Sequence, residues 1–400
     1  MAARYSIFRS IIRNGSKERQ GLLRSFSSRT EVANYQFDER DSEPSTDATV
    51  SDDLRSRILR LRLPKRSATN VLHRWVSEGN DISISELRQI SKELRKTHRF
   101  KHALEISEWM VSREEYDITD SDHAIRIDLM TKVFGINAAE RYFEGLPPSA
   151  KTAETYTALL HSYAACKLTE RAEDLFERTK EANLSLSAVT YNELMTLYTS
   201  VGQLDKIPSI YEEMERQEVA PDLFTYNLLL SSSAASLNID EVQRILEKMS
   251  GQSDPDESWL RYINLVKVYI SSGQLVNSDC NSLVESEKSI TQREWITYDF
   301  LVILYGGMGN KDKLDQIWKS LISTKQKMIG RNYACIIASY LMLGHSKDVK
   351  EILQQWKQST TTEFDVSVCS RLLSAFGEVG LSEEAAAFHL LLLDEKVLTD

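Results

Sequence analysis

From residue 54 onward, apolar residues recur three and four positions apart along most of the chain. That spacing lays a stripe along one side of a helix, because 3.6 residues complete a turn. Residues 188–222 show the pattern most fully. Val189, Leu194, Leu197 and Tyr198 form one stripe, Gly202 interrupts it, and Leu204, Ile207, Ile210, Tyr211 and Met214 form a second. Pro221-Asp222 closes the stretch. Two short amphipathic helices of this size cannot bury their own stripes, so such a hairpin needs copies of itself as neighbours.

The copies are present. Comparable interruptions fall at His98, Gly135, Lys167, Gly202, Leu237, Gly273, Gly309, Gly344 and Gly380, at spacings of 32 to 37 residues. Five positions after the break stand Ala103, Ala172, Ile207, Val242, Leu314, Val349 and Ala385, where a small or aliphatic residue lets the two helices of a hairpin approach closely. A period of about 35 residues predicts an all-α chain, an α-solenoid (a right-handed superhelix) of about nine helix-turn-helix repeats. The repeats are expected to start near residues 84, 121, 153, 188, 223, 259, 295, 330 and 366. Only 7 Pro and 15 Gly in 400 residues agree with a helical chain. The longest apolar run, Leu390 to Leu393, is far short of the roughly 18 residues of a membrane span.

Charge divides what precedes the repeats. Residues 1–30 carry seven basic residues against the single acid Glu18, interspersed with serine and with Ile7, Phe8, Ile11, Ile12, Leu22 and Leu23. This is the composition of an organelle transit peptide, with a mitochondrial cleavage context at Arg24-Ser25-Phe26-Ser27. Residues 31–53 hold eight acids and one arginine and are expected to be a disordered linker. Residues 54–83 form a basic helical cap, whose arginines either meet phosphates or keep an end helix solvated. The whole chain nevertheless carries a net charge of -10, which excludes a uniformly basic nucleic-acid binder. The four cysteines, Cys166, Cys280, Cys335 and Cys369, are scattered without a C-x-x-C pair and fit a reducing compartment.

The repeat openings narrow the reading. Thr155-Tyr156-Thr157, Thr190-Tyr191-Asn192, Thr225-Tyr226-Asn227 and Thr297-Tyr298-Asp299 stand in register. With Gly-Gln-Leu-Asp at 202–205 and Pro-Asp at 221–222, they resemble the pentatricopeptide repeat (PPR) family, in its organellar plant-type form without a catalytic C-terminal domain. The tetratricopeptide repeat has a similar period, but its Trp-x-x-Leu-Gly-x-x-Tyr core is absent. The resemblance spans residues 84–400 and is strongest over 153–257.

The resemblance implies non-catalytic binding of single-stranded organellar RNA, one base per repeat, in transcript processing, stabilisation or translation. It assigns base contact to the residue after the tyrosine and to the last residue of the repeat: Asn192 with Asp222, Asn227 with Glu257, and Thr157 with Ser187. Val189 and Phe224 would sandwich bases, and the Asn192–Asp222 pair would favour uracil. Each residue also has a structural reading: Asp222 as a helix N-cap, the asparagines as surface residues, Phe224 as core. The base-reading position holds Ile125, Ile263, Asp299 and Ala334 elsewhere, and an apolar side chain has no hydrogen-bonding group for a base. The alternative is a structural or protein–protein scaffold, such as an organellar ribosome component. The location implied is the mitochondrion, with the chloroplast as alternative.

No enzyme motif stands out, and neither a cofactor nor a metal is expected. His98 and His102 share a helical spacing, but Arg99 replaces the glutamate of a metalloprotease and the pair straddles a break. Gly306-Gly307-Met308-Gly309 lacks the Lys-Ser/Thr of a phosphate loop and reads as a helix terminator. The deaminase signature is absent. The final helix, with Phe388 and Leu390 to Leu393, is apolar on more than one side, which suggests either contact with a partner or a second copy, or a tightly packed last helix.

Overall fold

Eight of the nine interruptions, all but Leu237, take a left-handed backbone: His98 and Lys167 at φ 59° and 58°, and the six glycines between 70° and 87°. Leu237 lies outside the described residues. The computed structural model describes residues 53–61, 67–236, 238–251, 255–273, 292–323, 328–359, 362–395 and 397. A left-handed residue ends a helix because it turns the next amide back toward the unpaired carbonyls of the last turn. The same bond recurs from repeat to repeat: Arg99 to Leu94, Leu168 to Tyr163, Asn310 to Tyr305, His345 to Tyr340 and Leu381 to Phe376, at 2.7–3.0 Å. The donor in each case is also the residue from which the second helix starts. The hairpin therefore turns in two residues.

Nineteen α-helices and no strand are present among the described residues. In chain order they are α1 (Leu54–Leu59), α2 (Ala68–Ser77), α3 (Ile84–Lys96), α4 (Phe100–Val111), α5 (Asp120–Phe134), α6 (Ile136–Glu144), α7 (Ala153–Cys166), α8 (Thr169–Glu181), α9 (Ala188–Val201), α10 (Ile207–Arg216), α11 (Leu223–Ala235), α12 (Ile239–Ser250), α13 (Glu257–Ser271), α14 (Gln292–Gly307), α15 (Lys311–Ser323), α16 (Gly330–Met342), α17 (Ser346–Lys357), α18 (Val366–Val379) and α19 (Ser382–Asp394). The described helices fall into two bodies divided at Val201/Gly202. The transit peptide expected over 1–30 and the linker expected over 31–53 lie outside the described residues except for Asp53, which is the N-cap of α1.

In the N-terminal body, α1 packs on α3 and α2 on α4, while α5 packs on α7 and α7 on α9. Leu54, Ile58, Leu72, Leu87, Ile90, Leu94 and Ala103 share one core. Arg99 donates to the carbonyls of Ile58, Leu59 and Leu61 at 2.7–3.3 Å. Its guanidinium thus closes the C-terminal end of α1, where cations are favoured. Of the residues five after the break, Ala103, Ala172, Ile207, Val242, Leu314 and Val349 are fully buried and Ala385 is half-buried.

In the C-terminal body the first helices form a row in which one member is missing. α11 packs directly on α14, then α14 on α16 and α16 on α18. Helix α13, the first helix of the intervening repeat, lies instead against α14, α16 and α18 together. Two glycines admit it. A Cβ on Gly307 would sit 2.7 Å from Tyr262 Cβ and 2.8 Å from its Cα, and one on Gly306 would sit 2.9 Å from Ser339 and 3.2 Å from Leu265. Gly306 and Gly307 therefore permit close helix contact, and Gly309, at φ 71°, is the residue that terminates α14. Burial of Ile263, Leu265, Val266 and Val268 on α13 contributes roughly 6–12 kcal/mol.

The two kinds of helical glycine separate in mutants. Gly307→Ala is expected to destabilise the protein by about 1–3 kcal/mol through overpacking. Gly377→Ala, at an exposed position of α18 with open space around it, should stabilise it by up to about 1 kcal/mol through helix propensity. Urea denaturation of both variants checks the pair, and equal effects would contradict the close approach.

Candidate nucleic-acid interface

Each residue of the recurring triplet has a separate structural task. The first, three positions into the helix, caps it. Thr225 Oγ1 accepts from the Asp222 amide at 3.2 Å while Asp222 accepts from the Thr225 amide at 2.8 Å, which makes a capping box. Asp122, Thr155 and Asn332 accept in the same way from Thr119, Thr152 and Ile329 at 3.0–3.1 Å. The tyrosine packs edge-on against an aromatic residue of the preceding second helix: Tyr156 on Phe143, Tyr191 on Phe176 and Tyr333 on Trp318, with centroids 4.9–5.6 Å apart. Such pairs add to area burial. Their signal in the sequence was an aromatic eight or nine positions after the break.

The third residue, to which the resemblance assigns base reading, lies between neighbouring helices. Thr157, Asn192, Asn227, Asp299 and Ala334 are 7%, 3%, 2%, 2% and 2% exposed. Thr157 Oγ1 is 2.8 Å from Thr190 Oγ1 on the next first helix. Asn227 Oδ1 accepts from the Tyr262 hydroxyl at 3.1 Å. Asp299 accepts from Arg331 Nε at 2.8 Å, Asn332 Nδ2 at 2.7 Å and the Tyr269 hydroxyl at 2.8 Å. The asparagines are therefore buried rather than surface residues, and Asp299 is a buried, paired carboxylate.

The partner positions are more open. Asp222 is the half-buried N-cap of α11, as its structural reading expected. Ser187 is exposed ahead of α9, Val189 is half-buried, and Phe224 is 5% exposed. Glu257 needs correction. It is the exposed first residue of α13, bonded to Arg261, whereas the N-cap equivalent to Asp222 is Asp256, which accepts from the Trp259 amide at 2.7 Å. Counted from the N-caps, the third-residue positions of α5 and α13 are Ala124 and Arg261, each displaced from the expected Ile125 and Ile263.

Electrostatics point inward. His161 Nδ1 lies 3.0 Å from Glu193 Oε2, both buried. Burial opposes the imidazolium, but the Glu193 charge and hydrogen bond outweigh it, and the pKa is raised. Burial drives the Asp299 carboxyl above the usual carboxylate range against the pull of Arg331, Asn332 and Tyr269. The arginines of the N-terminal helices are engaged within the protein: Arg55 with Glu93, Arg57 and Arg74 with Glu78, and Arg88 with Asp122, at 2.5–3.1 Å. His102 is fully buried with Nδ1 3.1 Å from Arg99, and no metal-binding cluster occurs among the described residues. No described helix is long and apolar enough to cross a membrane. Among the large apolar residues of α19, Leu390 is strongly exposed, Phe388 and Leu392 are buried, and Leu391 and Leu393 are half-buried.

Hairpins whose first helices pack side by side, capped and packed by one recurring triplet, define a helical repeat protein. The comparisons name the kind. The PPR domain signature matches residues 153–200, the PPR repeat family signature residues 186–234, and the PPR repeat residues 224–252. A mitochondrial pentatricopeptide repeat-containing protein of Arabidopsis thaliana is 55% identical over 388 residues, covering 97% of this chain and 92% of that one. The large ribosomal subunit protein mL101 (rPPR4) of the same organism is 42% identical over 343 residues, covering 85% of this chain and 69% of that one. A solved structure of the pentatricopeptide repeat protein PPR10 in complex with an 18-nt RNA element is 14% identical, with a TM-score of 0.38, covering 99% of this chain and 58% of that one. The chain belongs to the pentatricopeptide repeat family.

Two substitutions test the buried polar contacts. Asp299→Ala leaves Arg331 buried without its partner and is expected to cost about 3–5 kcal/mol in denaturant unfolding. The raised His161 pKa predicts stability that is full below about pH 6.5, the ordinary imidazole value, and that falls as pH rises through the raised one. Thermal unfolding across this range should show that loss in the parent and not in His161→Gln. A flat difference between the two proteins would refute the pairing.

Proposed function

We propose that this chain is a non-catalytic RNA-binding repeat protein of the mitochondrion, acting on organellar transcripts in processing, stabilisation or translation. The family membership supports this reading, as does the extended similarity to a mitochondrial member over nearly the whole chain. Every matched signature is a repeat signature. Within the proposal, Asn192 and Asp222 are the best base-contact residues, with Thr157 and Ser187 next. Contact at Asn192 or Thr157 requires the packing around them to open, since both side chains are buried.

A second reading has its own support. A buried reading row and internally paired arginines favour a structural role in an assembly over sequence reading. The ribosomal relative mL101 is similar over most of this chain. On this reading the protein is a structural component of the organellar ribosome, in contact with ribosomal RNA or protein. Crosslinking in purified mitochondria separates the two. Recovery of one discrete transcript footprint, weakened in the Asn192→Ala/Asp222→Ala variant, is expected from the first reading. Stoichiometric co-sedimentation with ribosomes and no transcript footprint would replace it with the second, and absence of the protein from mitochondria would overturn both.

A further inference from the structure

We propose that α13 is a permanent intramolecular occupant of the reading row in the C-terminal body, so that the positions on α11, α14 and α16 read no bases. Three of the positions assigned to base reading are covered by this one helix. Tyr262 bonds Asn227, and Tyr269 bonds Asp299. Ala334 shares a small cavity with Leu265, Val268, Tyr269, Ile303 and Cys335. An oligonucleotide lying along the row would have to occupy the space that α13 fills.

The seat is built for a helix. Gly306 and Gly307 remove the side chains that would strike Ser339, Leu265 and Tyr262. Ala334 and Ala338 on α16 keep the floor low, and both are buried. Arg261 on α13 donates to the Gly307 carbonyl at 3.1 Å. The polar groups beneath it are engaged by protein partners, since Asp299 receives three side-chain hydrogen bonds. Tyr262, Ile263, Leu265, Val266, Val268 and Tyr269 are each less than 5% exposed. Burial on this scale exceeds what base stacking at three positions returns. The seating of α13 is independent of the RNA-binding proposal. Its consequence rests on that reading: the three consecutive first helices α11, α14 and α16 contribute no base contact, which removes about three nucleotides from the footprint at one base per repeat.

Cys335 reports on the seat, because its Sγ lies under α13 and donates to the Asp299 carbonyl at 3.3 Å. N-ethylmaleimide labelling of the full chain, read per cysteine by peptide mass spectrometry, should modify Cys335 about 100-fold or more slowly than the exposed Cys166. Cys335 should become reactive only at the denaturant concentration that removes helicity. Oligouridylate should leave its rate unchanged. Reaction well before global unfolding, or acceleration by oligouridylate, would overturn permanent occupancy and make α13 a displaceable strap. A gel shift with the same oligouridylate keeps the two proposals apart. Absence of a shift counts against RNA reading, while the RNA-free labelling rates decide the occupancy of the row.

Discussion

The fold depends on one backbone constraint repeated about every 35 residues: a residue held at positive φ at each described break between helices. For an L-residue this conformation costs about 1–2 kcal/mol, and glycine escapes the penalty. His98 and Lys167 occupy it without that freedom. Both sit in a turn closed by a bond to the carbonyl five residues before its donor. Lys167 also donates through Nζ to the Ser200 carbonyl at 2.9 Å, where the end of α9 favours a cation. Because the turn is so short, the second helix starts at a set angle. That angle brings Phe143, Phe176 and Trp318 against the following tyrosine. The packing between repeats follows from the turn within each.

The breaks and the helical stripes were legible in the sequence because both have strong local causes. Few residue types tolerate positive φ, and a stripe of period 3.6 matches the helix and no strand. The candidate site was less legible. Thr, Asn and Asp at the third triplet position carry the hydrogen-bonding groups that base reading requires, and the same groups satisfy a neighbouring helix. Sequence records the donor and the acceptor, not the partner. The misplacement at Glu257 had a visible remedy: Pro255-Asp256 repeats Pro221-Asp222, and the cap geometry follows the Pro-Asp pair. The displacement of α13 had no such signal in α13 itself, whose stripe resembles the others. Its trace lies in the receiving helices, in Gly306-Gly307 and in Ala334 and Ala338.

Polarity in this protein is directed at its own helices. Thr157 with Thr190, His161 with Glu193, and Asp299 with Arg331 all join first helices of consecutive repeats. Buried pairs of this kind add little net stability compared with apolar residues of the same shape, yet an unpaired member is costly. They act as identity marks, since a helix from another position in the array would leave them unsatisfied. A net charge of -10 and the pairing of Arg55, Arg57, Arg74 and Arg88 with carboxylates of the protein weaken a general attraction for phosphate.

The skipped helix also changes how the chain assembles. In a regular solenoid each repeat touches only its sequence neighbours, so order can grow from one end and stability is a sum of local terms. Here α13 packs on α18, about a hundred residues further along the chain, and α11 must wait for α14. Contacts of such separation slow folding and bind distant segments into one cooperative event. The C-terminal body is therefore expected to unfold as one cooperative unit in an architecture that otherwise tolerates the gain or loss of single repeats. A repeat deleted or inserted between α11 and α18 would not simply shorten or lengthen the array, because it would separate a helix from the seat made for it.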